Sequence, residues 1–154
     1  MKVLSAAHFW LFSCEVYAMK DMQPQLLSLQ DKHNKNVNLC LLLLYLDTLQ
    51  IQLSAAQYHA LESICGDIDA QFLMQHRLLR RTLKSTYQQH PHYHDVRAQL
   101  LNSELALERF QQSLLVDALN KTVMTENLTA NNLSLYLESQ HLNALKQCYL
   151  GPKT

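Results

Sequence analysis

From Val37 to Leu46 the chain runs through Leu39, Cys40, four consecutive leucines, Tyr45 and Leu46, and no charged residue interrupts it. A helix over this stretch is apolar on every side and needs burial all round, which makes it the rod that the other elements must cover. The pattern places this central helix over about 38–52, with Asn38 as its cap and Asp47, Thr48, Gln50 and Gln52 where it emerges toward solvent. Upstream, Ser5 caps a first helix carrying Ala6, Phe9, Trp10, Val16 and Tyr17 on one broad face and ending near Lys20. Pro24 suits the first turn of a second helix, whose apolar side is Leu26, Leu27 and Leu29, and Asn34 to Asn36 breaks the pattern.

Downstream, Ser54 and Gln57 have the form of a capping box for a fourth helix with Tyr58, Leu61 and Ile64 at helical spacing and Gly66 as its stop. Asp67 or Asp69 begins a fifth helix striped by Ile68, Phe72, Leu79, Leu83 and Tyr87, which ends before Pro91. The sixth and longest runs from Asp95 to about Leu119. Residues 120–132 read as a loop, and a last helix over about 133–150 is stopped by Gly151 and Pro152. The expected fold is all-α, a single-domain irregular bundle of six or seven helices over residues 1–154.

Composition agrees with that pattern. The chain holds 32 leucines against two glycines and three prolines, rich in helix formers and poor in turn residues. Thirteen basic and thirteen acidic residues cancel, which argues against a nucleic acid as the obvious partner. Cys14, Cys40, Cys65 and Cys148 lack the paired spacing of zinc or redox motifs and read as buried free thiols of a cytoplasmic protein. Lys2 followed by Val3 to Cys14 imitates a short signal peptide, but His8 interrupts its apolar core and Phe12 stands where a small residue belongs. The run to Leu46 is far short of the ~20 apolar residues that a membrane span requires.

Phe9, Trp10, Phe12 and Ser13 to Tyr17, then Leu29, Gln30 and Asp31, then Val37-Asn38-Leu39 opening a leucine run, form an ordered set. Arg77, Arg80, Leu83 and Lys84 and the block Glu104 to Arg109 continue it. Over residues 8–115 this order resembles the DUF2390 family, also called TIGR02444, of small bacterial proteins. Asn34 to Asn36 departs from it, standing where the family pattern would put a glycine-containing turn. The resemblance implies a helical domain of unassigned function and carries over no catalytic residue.

Candidate chemistry is sparse. Arg77, Arg80, Arg81 and Lys84 crowd one side of the fifth helix and offer an anion or RNA site. An antiparallel hairpin of the fifth and sixth helices would instead set Arg80 against Glu104, Arg77 against Glu108, Leu79 against Leu105 and Leu83 against Leu101, and this internal pairing is the preferred reading. Glu104 and Glu108 echo half of a carboxylate di-metal site, but such a site takes a Glu-x-x-His motif from each of two helices, and the chain does not hold two. His90, His92 and His94 would converge on a metal if their segment were extended; the plainer reading is a polar turn, with no metal or other cofactor expected. Gln30, Asp31, His33 and Asn38 surround the entrance to the central helix, as a pocket mouth or, by preference, with Asp31 and Asn38 fixing the turn. Phe9, Trp10 and Tyr17 offer aromatic surface for the core or for a partner chain.

No glycine loop for phosphate and no nucleophile elbow is present. The leading functional expectation is therefore a non-catalytic, cytoplasmic helical module that binds another protein or itself. Its alternatives are the anion or RNA binder on the basic face and a small metal-dependent protein on the histidines.

Overall fold

The computed structural model describes residues 2–151. Its elements in order are α1 (Ala6–Tyr17), α2 (Met22–His33), α3 (Val37–Thr48), β1 (Ile51–Gln52), α4 (Ala55–Ile68), a π-helical turn (Asp69–Leu73), α5 (Met74–Tyr87), α6 (Tyr93–Asn120), β2 (Thr125–Glu126), a 3-10 turn (Leu133–Leu135) and α7 (Ser139–Leu150). This is an all-α bundle with one minimal antiparallel ladder, in which Ile51 pairs with Glu126 and Gln52 with Thr125.

The central helix is α3. Asn38 through Leu44 and Leu46 are all buried on it, enclosed by α1, α2, α4, α6, β1 and the 3-10 turn. Each fully covered leucine contributes roughly 1.5–3 kcal/mol, so this helix anchors the core. Its boundaries differ from the sequence reading at both ends. The cap is Asn36, whose side chain accepts the Leu39 N–H at 2.8 Å, while Asn38 lies inside the first turn with its side chain buried. Asn34 supplies the left-handed turn at φ 52 that the family pattern gives to glycine, since asparagine tolerates that region better than most residues. At the far end α3 stops at Thr48 and Gln50 turns at φ 59 into β1.

Asp47 does not simply mark an exit to solvent. Its carboxylate accepts the backbone and side-chain N–H groups of Asn132 at 2.6 and 2.7 Å, and burial raises its pKa against those bonds. Asn132, fully buried, in turn accepts from the Leu53 N–H at 2.8 Å and donates to the Ile51 carbonyl at 2.7 Å. One asparagine thus ties the 120–132 segment to the end of the central helix.

The capping box at Ser54 and Gln57 is present, but Gly66 stops nothing. Helical structure continues from Ala55 through Gly66 and the π-turn to Tyr87. Gly66 has an ordinary negative φ, and Asp69 does not cap a new helix because its carboxylate is taken by Asn36 and Gln111. Ser5 caps α1 through the His8 N–H, and that helix ends at Tyr17, before Lys20. The final segment splits into the 3-10 turn and α7, which packs on α2 and closes at Gly151 with φ 76. Pro152 lies outside the described residues. Of the four free thiols, Cys40 and Cys65 are buried, Cys148 is half-buried and Cys14 is exposed, so the expectation of four buried thiols holds for two.

Candidate functional site

A cleft of about 620 Å³ opens between α1, the start of α3 and the long hairpin of α5 and α6. Its floor is a network of amides where a core stripe would ordinarily continue. Leu119 and Leu115 mark the buried side of α6, and one, two and three turns back the same side carries Gln111 and Gln112, then Glu108, then Glu104. Gln111 accepts from Asn36 at 3.2 Å and from Asn38 at 2.9 Å, and it donates to Asp69 at 3.2 Å. Asn38 also donates to the Glu108 carbonyl at 3.1 Å. Gln112 donates to Ser13 Oγ and to Asn38 Oδ1, both at 3.0 Å, and Ser13 donates to the Phe9 carbonyl. These bonds fix the Gln112 amide one way round, because Asn38 Oδ1 needs a donor, and they leave Gln112 Oε1 buried without a partner.

The wall is charged. Arg80 holds Glu104 through Nε at 2.8 Å and Nη2 at 3.3 Å. Arg77 stands 3.5 Å from Glu104 and 3.5 Å from Glu108, both looser contacts. Burial pushes the Glu108 carboxyl above its usual range, with Arg77 working against it and the Glu104 charge adding to it. Half-buried His76 lies 4.0 Å from Glu104, too far for a hydrogen bond, and its buried Nδ1 has no partner. Of the basic face, therefore, Arg77 and Arg80 are set against carboxylates, while Arg81 and Lys84 are exposed and form no ion pair among the described residues. The apolar half of the expected register differs: Leu79 and Leu105 remain 54% and 50% exposed and do not bury one another.

The aromatic residues of α1 go three ways. Phe9 is fully buried and stacks on Tyr45, with ring centroids 5.5 Å apart. Trp10 lines the cleft and carries the Arg109 guanidinium over its ring at 5.3 Å. Tyr17 also lines the cleft, its phenol pKa raised by burial and then by the nearby Glu108 charge.

The polar entrance separates. Gln30 and Asn38 both line the cleft, whereas Asp31 is exposed with only a 3.4 Å contact from Gln30, and His33 lies against His141 of α7 at 4.2 Å. Asp31 fixes no turn; Asn36 does that work. The three histidines of the turn do not converge either. The His92 N–H donates to His90 Nδ1 at 3.1 Å, and α6 begins at Tyr93, so His94 sits on a helix and the extended segment that would align all three does not form. Among the described residues, no group of three or more His, Cys, Asp or Glu stands close enough to hold a metal ion. No described helix is long and apolar enough to cross a membrane.

Ser13, Asn36, Asp69, Gln111 and Gln112 were not among the site residues expected from the sequence. For Gln111 and Gln112 the signal was the helical stripe of α6, which changes from leucine to glutamine without changing its period.

Residues 8–115 match the model of a family described as a protein of unknown function, DUF2390. Searches of curated proteins and of solved structures gave no match.

Proposed function

The chain belongs to the DUF2390 family, and we propose that it is a non-catalytic helical module that holds another protein, docking through the outer face of the α5–α6 hairpin. One observation carries this reading. The π-turn and α5 are two-sided in sequence, with Phe72, Leu79, Leu83 and Tyr87 along one side and Arg77, Arg81 and Lys84 along the other, yet no residue of α5 is buried. A helix patterned for burial and left uncovered marks an interaction surface.

Helical spacing sets the surface on the side away from the cleft. Arg77 and Glu108 mark the cleft edge of the hairpin, and Phe72 and Leu79 fall toward the opposite edge, as do Val96 and Phe110 of α6. These four side chains are 43–54% exposed. An amphipathic helix laid along the hairpin would cover them by the helix-in-groove mode.

This surface replaces the aromatic residues of α1 as the docking candidate, since Phe9 is in the core and Trp10 and Tyr17 line the cleft. The anion or RNA alternative draws less support, because two of its four cations face carboxylates. Four free thiols favour a reducing compartment, and we place the protein in a bacterial cytoplasm on that ground and on the sequence resemblance.

A pull-down with the tagged chain tests the reading beside a Phe72→Ser/Leu79→Ser variant whose circular dichroism matches the parent. The parent should recover a reproducible partner, and the variant should lose it by about tenfold or more, equivalent to ~1.4 kcal/mol. Equal recovery by both proteins, or a monomer in light scattering with no reproducible partner, overturns it.

A further inference from the structure

The cleft is a separate surface from the outer hairpin face, and its chemistry is of another kind. Its volume of about 620 Å³ lies within the range of small-molecule sites. Two guanidinium groups and two carboxylates line it, and their pairing is uneven. Arg80 and Glu104 satisfy one another at 2.8 and 3.3 Å. Arg77 and Glu108 do not. Arg77 has five N–H donors and only two contacts at 3.5 Å, and Glu108 has that single loose ion pair while its burial already penalises the charge. Both side chains line the open space, so each has bonding capacity directed at a guest.

The sign of that guest follows from the surroundings. A simple anion would gain Arg77 but meet Glu104 and Glu108; a simple cation would gain Glu108 but meet Arg77 and Arg80. A molecule carrying both charges meets neither penalty. Because Arg77 and Glu108 stand side by side, the two charges of the guest must also be close together, as the ammonium and carboxylate on one carbon are. Beside this corner, Trp10, Leu41, Leu101 and Leu105 give the cleft apolar wall, with Leu105 and Leu101 one and two turns before Glu108 on α6. The amides beneath are bonded to each other and the unpartnered Gln112 Oε1 is buried beneath them, out of reach of a guest, so the floor asks for no strong polar side chain.

We propose that this cleft is a binding site for a free α-amino acid with a large apolar side chain, its carboxylate on Arg77, its ammonium on Glu108 and its side chain between Trp10 and the leucines of α6. The site does not depend on the docking surface, and either can fail without the other.

Calorimetric titration of the full chain with L-leucine, L-methionine, L-phenylalanine and L-tryptophan tests it. At least one should bind with Kd below about 1 mM, the equivalent of ~4 kcal/mol. Blocking either charge, as the N-acetyl amino acid or its methyl ester, should weaken binding by about tenfold or more. Glu108→Gln should do the same while leaving the unfolding transition cooperative, and Leu105→Asp, at a half-exposed position, should remove binding without unfolding the chain. The proposal is overturned by an absence of binding for all four amino acids, by equal binding of phenylacetate or phenethylamine, or by dipeptides that bind where the free amino acids do not.

Discussion

Arg80 and Glu104 lock the two longest helical arms together: Nε of the arginine lies 2.8 Å from the carboxylate, and Glu104 is only 7% exposed. The two partners are unequal. Glu104 also faces Arg77, so removing the glutamate breaks two contacts and leaves Arg80 unpaired among the described residues and Arg77 with Glu108 alone, whereas removing Arg80 leaves Glu104 with Arg77.

Glu104→Ala is therefore expected to cost about 2–3 kcal/mol and Arg80→Ala about 1 kcal/mol, the first nearer to the cost of breaking a buried pair and the second nearer to that of an exposed one. Urea denaturation of the two variants checks the order. Equal costs would show that the pair acts alone and that Arg77 takes no part.

Asn132 is the joint between the end of α3 and the segment that follows α6. Its side chain serves Asp47, Ile51, Leu53 and Gln52 at distances of 2.7 to 3.1 Å. Asn132→Ala leaves several of these groups buried and unpaired, and a loss of about 3 kcal/mol is expected from the usual cost of unsatisfied buried groups. Asn132→Asp should be worse at neutral pH, because it sets a second carboxylate against Asp47. Thermal melts at pH 7 and pH 4 distinguish the two effects: the aspartate variant should recover part of its loss in acid, and the alanine variant should not.

Glu108 gives a pH dependence of defined sign. Burial raises its folded pKa above the ordinary glutamate value, so its contribution to stability is fully present below the unfolded pKa and is lost as pH rises through the folded one. Glu108→Gln removes the ionisation and should keep or raise the melting temperature at pH 7, relative to the parent, with that advantage disappearing below pH ~4, where the unfolded glutamate is also protonated. A variant that is less stable at pH 7 and equal to the parent in acid would show that the Arg77 contact outweighs the burial.

The helices were legible where one side of the chain had to be dry. The uninterrupted leucines of α3, the Ser54–Gln57 box and the long stripe of α6 each state their structure locally, and their order carried the family. Gly66 misled because a glycine marks a helix end only when a positive φ is needed, and here the backbone keeps its helical angles. Asn38 misled for a related reason. Two asparagines stand two residues apart, and which one caps depends on which backbone is extended, a choice settled by Asn34 turning left-handed. The charged pairing of α5 and α6 could be read from register alone, but the burial of Leu79 and Leu105 could not, since register says which residues are opposite and not whether anything covers them.

The sequence by itself determined the all-α class, the buried central helix, the family and the antiparallel setting of Arg80 against Glu104, because these follow from periodicity and from pairs that a short turn brings together. Only the tertiary structure decided that the amides of Asn36, Asn38, Gln111 and Gln112 join into one floor beneath a charged cleft. Those residues come from α6 and from the start of α3, and hydrogen-bond partners 73 to 75 residues apart leave no local pattern. It also decided that Phe72 and Leu79 stay about half exposed, which depends on what packs against the hairpin and not on any property of α5.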